Sequence, residues 1–347
     1  MFYLKYRPKT VAEIDNSRVK ETVKKILASK NLPHAFLFVG QKGTGKTSTA
    51  RIFAKALNCL NKKGLDIEPC NHCVNCLSIA SSSYTDVIEM DAASNRGIEE
   101  VKSLIKETSF LPMSGRYRVF IIDEAHMITG DGFNALLKTL EEPPETSIFI
   151  LATTNLEKLP KTIISRCVKV NFGKGLKQDI VSMLKRIGAH ENLTYQNDFY
   201  SLIAHHSDYS FRDAAKILEE VSMQKIKTVD ELEAFLGIRG KNNLLEIIEK
   251  KDSKKTFVWI EEFSQNGGNF KNLIEDILEE LRIHLLIKKG VNLEDEKTTT
   301  LTVPEISRLI KLLMESYQLL RSTPIESLPL ELALVEFYNG INSKVKN

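Results

Sequence analysis

The sequence predicts an α/β protein whose first 170 residues form a mostly parallel sheet and whose remainder is helical. Three observations predict it. Short apolar runs alternate with helical patterns through the first half. One such run leads into a glycine-rich loop and then a helix. Strand signals then vanish from about residue 171 onward.

The strand candidates are Ala35–Val39, Val87–Met90, Val119–Ile122, Ile148–Leu151 and Val168–Phe172. Between the third and fourth, Phe133, Leu136, Leu137 and Leu140 fall at helical spacing, and Pro143 and Pro144 stop that helix. "DIVSMLKRI", "DFYSLIAHH" and "RDAAKILEEV" read as three short amphipathic helices of a second region, 171–237. A third region, 238–347, is all helical. Its long segments "NLIEDILEELRIHLLI" and "EISRLIKLLMESYQLL" carry apolar stripes that need partners. A chain of 347 residues with 42% hydrophobic and 27% charged content fits a soluble globular protein of two or three domains. The formal net charge of +3 is too small to argue for or against nucleic acid. No apolar run is long enough to span a membrane, and the N-terminus carries no stretch of signal-peptide length, so a cytoplasmic protein is expected.

The chemistry concentrates in two places. Gly40-Gln41-Lys42-Gly43-Thr44-Gly45-Lys46-Thr47 fits G-x-x-x-x-G-K-[ST] between an apolar strand and a helix. Such glycines let backbone N–H groups turn inward around phosphate oxygens at a helix N-terminus. Lys46 is then expected at the β- and γ-phosphates, with Thr47 on Mg²⁺ and Ser48 beside it. In "VFIIDEAH", Asp123 ends a buried strand, where a carboxylate can hold magnesium's water shell. Glu124 is placed to orient or deprotonate an attacking water, which favours a hydrolase over a mere nucleotide binder. The second place is Cys59, Cys70, Cys73 and Cys76, spaced C-x10-C-x2-C-x2-C. Four thiolates fill a zinc tetrahedron and leave no position for water, so the expected site is structural. Zinc binding supplies about 10–16 kcal/mol toward ordering such a segment. His72 is a bystander on this reading and Cys167 a packed thiol.

Two arginines stand out by position. Arg166 directly precedes the last strand candidate. Arg212 lies in the first turn of a helix that Ser210 can cap, where a cation opposes the helix dipole unless an anion sits nearby. Spacing alone leaves each open as a solvated surface arginine.

The phosphate loop, the four-cysteine insertion, "DVIEMDAASNRGIEEV", "GRYRVFIIDEAHMI", "FNALLKTLEEPPE" and "LATTNLEKLPKTIISRC" together resemble the bacterial DNA polymerase III γ/τ subunit family. The resemblance is close over residues 1 to about 240 and looser beyond. It implies an AAA+ fold: an ATPase domain with its zinc insertion (1–170), a three-helix lid (171–237) and a helical collar for oligomerisation (238–347). It implies an ATP-hydrolysing motor that opens a sliding clamp and loads it onto primed DNA, working with δ and δ′ subunits and further copies of itself. Arg166 then matches the arginine finger reaching a neighbour's ATP site. Arg212 matches the lid arginine that senses the γ-phosphate, and Thr154, or else Thr153, the polar sensor after the fourth strand. Tyr6, Arg7 and Pro8 match the segment lying against the nucleotide, and Arg96 a region lining the DNA chamber. The cysteines match a zinc knuckle that is scaffold rather than chemistry.

The chain departs from the family at Asp15-Asn16-Ser17, where Val-Gly-Gln is usual, which leaves one side of the adenine pocket open. Gln41-Lys42 stands where Pro-Arg is common, a change compatible with phosphate binding. Nothing resembles the τ-type C-terminal extension, so clamp loading without polymerase and helicase tethers is expected. The competing readings are an AAA+ motor acting on DNA junctions or remodelling proteins, and a non-catalytic ring subunit. The intact Lys46, Thr47, Asp123 and Glu124 speak against the last.

Overall fold

The structure is a computed structural model that describes residues 1–62, 66–236, 241–265, 267–291 and 299–342. The chain divides into two compact units, Met1–Ile226 and Lys227–Asn347. In the first, five strands form one sheet: β1 (Ala35–Gly40), β2 (Val87–Asp91), β3 (Arg118–Asp123), β4 (Ser147–Thr153) and β5 (Val168–Gly173). The order is β2-β3-β4-β1-β5 and every pairing is parallel. All five expected strands are present. Their apolar runs are continuous because helices cover both faces of a parallel sheet; every residue of β4 is buried.

The helices of this unit are α1 (Phe2–Lys5), α2 (Ser17–Leu27), α3 (Lys46–Asn58), α4 (Val74–Ala80), α5 (Ile98–Glu107), α6 (Gly130–Glu141), α7 (Lys161–Ile164), α8 (Lys177–His190), α9 (Asn197–His206) and α10 (Phe211–Met223). Strand alternation sends Phe36 and Phe38 to one face, against Val19 and Val23 of α2 and Phe53 of α3. It sends Leu37, Phe120 and Phe149 to the other, against Val101 of α5 and Leu136 of α6. Cys167 packs against that second core, and burial pushes its thiol up to about 12, as expected of a packed cysteine.

The second unit holds α11 (Val229–Phe235), α12 (Lys241–Glu249), α13 (Ser253–Gln265), α14 (Phe270–Lys288), α15 (Val303–Leu319) and α16 (Leu328–Asn342). The apolar stripes of α14 and α15 find their partners here. Leu273, Ile277 and Leu281 share one core with Leu309, Leu313 and Phe337. Among the described residues no helix is long and apolar enough to cross a membrane.

Candidate nucleotide site and four-cysteine cluster

In an open parallel sheet, ligands bind beyond the carboxyl ends of the strands where strand order reverses. β1 lies between β4 and β5, and the loop that follows it wraps the N-terminus of α3. Gly43 and Gly45 take φ of +80° and +95°, left-handed values that only glycine adopts without strain. A Cβ on Gly43 would also lie 2.1 Å from Ser210 Oγ, so the N-terminus of α10 closes directly over the loop. The Arg212 backbone N–H donates to Gly43 O at 3.3 Å.

The loop and α10, with the N-terminal segment and α8, enclose a cavity of about 400 Å³. Every nucleotide-site residue expected at the phosphate loop from Gly43 to Ser48 lines it, as do Tyr6, Arg7, Pro8, Asp123, Glu124 and Arg212. Gly40 forms the base of the loop: its carbonyl takes Lys46 Nζ at 2.8 Å, and Gln41 O takes the same ammonium at 2.9 Å. Burial lowers the pKa of Lys46, and Glu124 and Asp123 pull it back up. Burial also lowers that of Arg7, with the Arg51 charge adding to it. Arg7 Nε donates to Ser48 Oγ at 2.6 Å, and the Arg212 guanidinium sits over the Tyr3 ring, 5.0 Å from its centroid. With Lys42, four cationic residues thus line one cavity, an arrangement that calls for a polyanion.

Thr47 Oγ1 donates to Asp123 Oδ2 at 2.6 Å, so the hydroxyl and carboxylate meet beside Lys46. This hard oxygen pair fits Mg²⁺. Glu124 has a left-handed backbone (φ +46°), uncommon outside glycine. Its carboxylate accepts from Thr154 Oγ1 at 3.1 Å. Of the two threonines considered, Thr154 is therefore the one that touches the acid. Thr153 is buried and donates to Asn155 O at 3.1 Å, leaving its oxygen to accept from His126 Nδ1 at 3.2 Å. His126 Nδ1 also lies 3.4 Å from Glu124 Oε2. Sequence reasoning missed this histidine; its only signal was its place right after the acidic pair and Ala125.

Asp15-Asn16-Ser17, the segment that sequence left open, has a clear structural role. Asn16 caps α2 by accepting from Val19 N–H at 3.1 Å, and donates to Phe172 O at 2.9 Å. Asp15 pairs with Arg186 of α8 at 2.7 Å, and Ser17 donates through both N–H and hydroxyl to Asp179 of the same helix. Asp15 and Asn16 line the cavity, as do the apolar side chains of Ile14, Met183 and Ile187. Met183 and Ile187 also went unmarked, because an i, i+4 apolar pair reads as ordinary core.

Arg166 and Arg96 lie outside the cavity. Arg166 follows α7, donates to Thr162 O at 2.7 Å and pairs with Glu141 at the end of α6. Arg96 is exposed in the turn before α5. Neither touches the nucleotide site of its own chain.

The sulfurs of Cys59, Cys70, Cys73 and Cys76 all lie within 4.8 Å of one another. Backbone N–H groups of Cys70, Cys73 and Cys76 point at Cys59, Cys70 and Cys73 sulfurs at 3.3–3.4 Å. With Zn–S bonds of about 2.3 Å, the set is compatible with tetrahedral zinc. His72 turns away from the sulfurs, its Nδ1 2.7 Å from Cys70 O and its Nε2 3.0 Å from Asn61 Nδ2.

A family profile described as "DNA polymerase III, delta subunit" matches residues 15–175. The chain is 39% identical over 303 residues to DNA polymerase III subunit tau of Bacillus subtilis (strain 168), covering 84% of this chain and 53% of that protein. It is 37% identical over 301 residues to the gamma subunit of Buchnera aphidicola subsp. Baizongia pistaciae, covering 84% of this chain and 81% of that one. It thus spans about half of the first relative and four-fifths of the second. Among solved structures, the Thermotoga maritima RuvB Holliday junction branch migration motor shares the fold. Its TM-score is 0.50 at 18% identity, over 88% of this chain and 98% of that one. At 37–39% identity over 84% of its length, the chain belongs to the DNA polymerase III gamma/tau subunit family.

Proposed function

We propose that this chain is the ATP-hydrolysing motor of a clamp loader, opening a sliding clamp and loading it onto primed DNA. The observation that carries the reading is the convergence on one cavity of Lys46, Thr47, Asp123, Glu124 and Arg212, which together meet each requirement of phosphoryl transfer to water. Residues 1–170 act as the ATPase domain, 171–237 as its lid and 238–347 as a collar.

Thr47 and Asp123 would hold Mg²⁺, which would supply charge neutralisation at the phosphates. Lys46 leaves its two loop carbonyls for the β- and γ-phosphate oxygens. Tyr6, Arg7 and Pro8 cover the nucleotide from the N-terminal side. Glu124 orients the attacking water, and Thr154, already bonded to it, fixes where its carboxylate points. Arg212, carried by the lid, senses the γ-phosphate and ties lid position to the nucleotide state. Arg166 acts in trans, placing its charge on a neighbouring copy's γ-phosphate. An arginine so placed is worth roughly 10³–10⁵ in rate. The cysteines hold structural zinc, and Arg96 makes one of the phosphate contacts that grip DNA without reading its sequence.

The test is the steady-state ATPase rate of the chain with δ and δ′ subunits, with and without clamp and primed DNA. Stimulation that requires both clamp and a primer–template junction supports the reading. A rate indifferent to clamp but driven by other DNA overturns it in favour of a junction motor, and no turnover at all overturns the motor role.

A further inference from the structure

The four-cysteine cluster does not line the nucleotide cavity, yet two contacts run from its loop to the segment that does. Val11 is fully buried, and its backbone N–H donates to Glu68 Oε2 at 2.8 Å. Glu68 sits two residues before Cys70. Lys55 of α3 is 4% exposed, and its ammonium donates to Lys9 O at 2.5 Å and to Asn71 Oδ1 at 2.7 Å. Asn71 lies between Cys70 and Cys73 and has a left-handed backbone (φ 58°), a conformation that a loop anchored at both ends can hold. Residues 7–16, between α1 and α2, belong to no helix or strand and have no ladder of their own to fix them. The backbone at Lys9 and Val11 is therefore pinned by the cysteine loop, directly through Glu68 and by way of Lys55 through Asn71. That same stretch carries Arg7, Pro8 and Ile14 on the cavity wall, with Arg7 bonded to Ser48 in the first turn of α3.

We infer that Glu68 and Lys55 are positioning residues through which the four-cysteine loop holds the nucleotide-covering segment, so that metal loading raises nucleotide affinity. The inference rests on the nucleotide-binding reading of the cavity and adds a task for the cluster beyond scaffolding. Without metal the loop loses its anchor, Glu68 and Asn71 leave their acceptor positions, and the segment opens at its buried Val11. Lys55 then keeps only the Lys9 carbonyl.

The experiment measures ATP affinity of the full chain by titration calorimetry, beside zinc content and the melting temperature without nucleotide. Glu68→Ala is expected to weaken ATP binding roughly tenfold, equivalent to about 1.4 kcal/mol, with four-cysteine zinc content unchanged. Glu68→Gln keeps a carbonyl acceptor and is expected to restore affinity to within about threefold, a rescue that general destabilisation does not give. Chelating zinc from the unsubstituted chain is expected to shift affinity in the same direction, and chelated Glu68→Ala to be no weaker than the chelated parent. Unchanged ATP affinity in Glu68→Ala, or fully additive losses on chelation, overturns the inference while leaving the nucleotide site standing. Absence of ATP binding by the zinc-loaded parent overturns the nucleotide reading itself, and the inference with it.

Discussion

Replacing Lys46 by alanine should leave the nucleotide-free protein near its original stability and remove most of the stabilisation that MgATP confers. Lys46 is 6% exposed and its ammonium rests on two backbone carbonyls, at 2.8 and 2.9 Å. A buried cation with dipolar partners recovers little more than its desolvation cost. Truncation leaves two carbonyls at the cavity wall where water can reach them, so the net change should stay within about 1 kcal/mol. The nucleotide-bound state behaves differently. A ligand at a hundred times its Kd stabilises by about 2.7 kcal/mol. At roughly 2–4 °C per kcal/mol for a unit of this size, MgATP should raise the melting temperature of the parent by about 5–11 °C. Loss of charge-assisted bonds to two phosphates costs about 2–3 kcal/mol of binding. The same ATP concentration then stabilises the variant by less than about 1 kcal/mol. Scanning calorimetry of both proteins, with and without MgATP, checks both halves. A variant that still gains 5 °C would refute the phosphate role, and one melting far below the parent without nucleotide would make Lys46 a structural residue.

Arg166→Ala removes an ion pair with Glu141 whose side chains are 32% and 48% exposed, a contact worth about 0–1 kcal/mol at a surface. Its melting temperature and ATP affinity as an isolated chain should hold, while turnover in the assembly with δ and δ′ falls roughly 10³-fold; unchanged turnover removes the finger. Asp86 is fully buried and accepts the backbone N–H groups of Met113, Ser114 and Gly115 at 2.8–2.9 Å. Asp86→Ala strands all three and should cost about 3 kcal/mol or more in urea denaturation; a loss under 1 kcal/mol would mean that water replaces the carboxylate. Burial works to raise the Glu305 carboxyl, but Lys251 and the Thr302 N–H and hydroxyl outweigh it and hold the carboxyl down at about 2. Because the folded value lies below the unfolded one, its stabilising contribution is complete above about pH 4.5. It is lost as pH falls toward 2, so Glu305→Gln should lose less helical circular dichroism over that range than the parent does. An unchanged acid transition would sink that expectation.

The parallel strands were legible because a strand buried on both faces carries an unbroken apolar run, as β1 does over 35–39, β3 over 119–122 and β4 over 148–152. The Ser210 cap and the cysteine set were legible because both work over short spans: Ser210 accepts from Asp213 N–H, and three of the four sulfurs lie within seven residues. What lay beyond reach is what long-range packing decides. Asp15 meets Arg186 across 171 positions, and that pair explains a departure from the family pattern that the local sequence could only mark as unusual. Lys55 shows the same limit from the other side. In an amphipathic helix a lysine reads as a solvated face, yet α3 is buried along nearly its whole length because the sheet lies on one flank and the cysteine loop on the other. The buried ammonium can be tolerated only if polar acceptors come to it, and they come from two segments, Lys9 and Asn71, that the sequence gives no reason to pair. Arg166 marks a third limit. Its contacts within the chain are a surface ion pair with Glu141 and a hydrogen bond to Thr162 O, so the trans role proposed for it is tested by turnover in the assembly with δ and δ′ and not by the geometry of one copy.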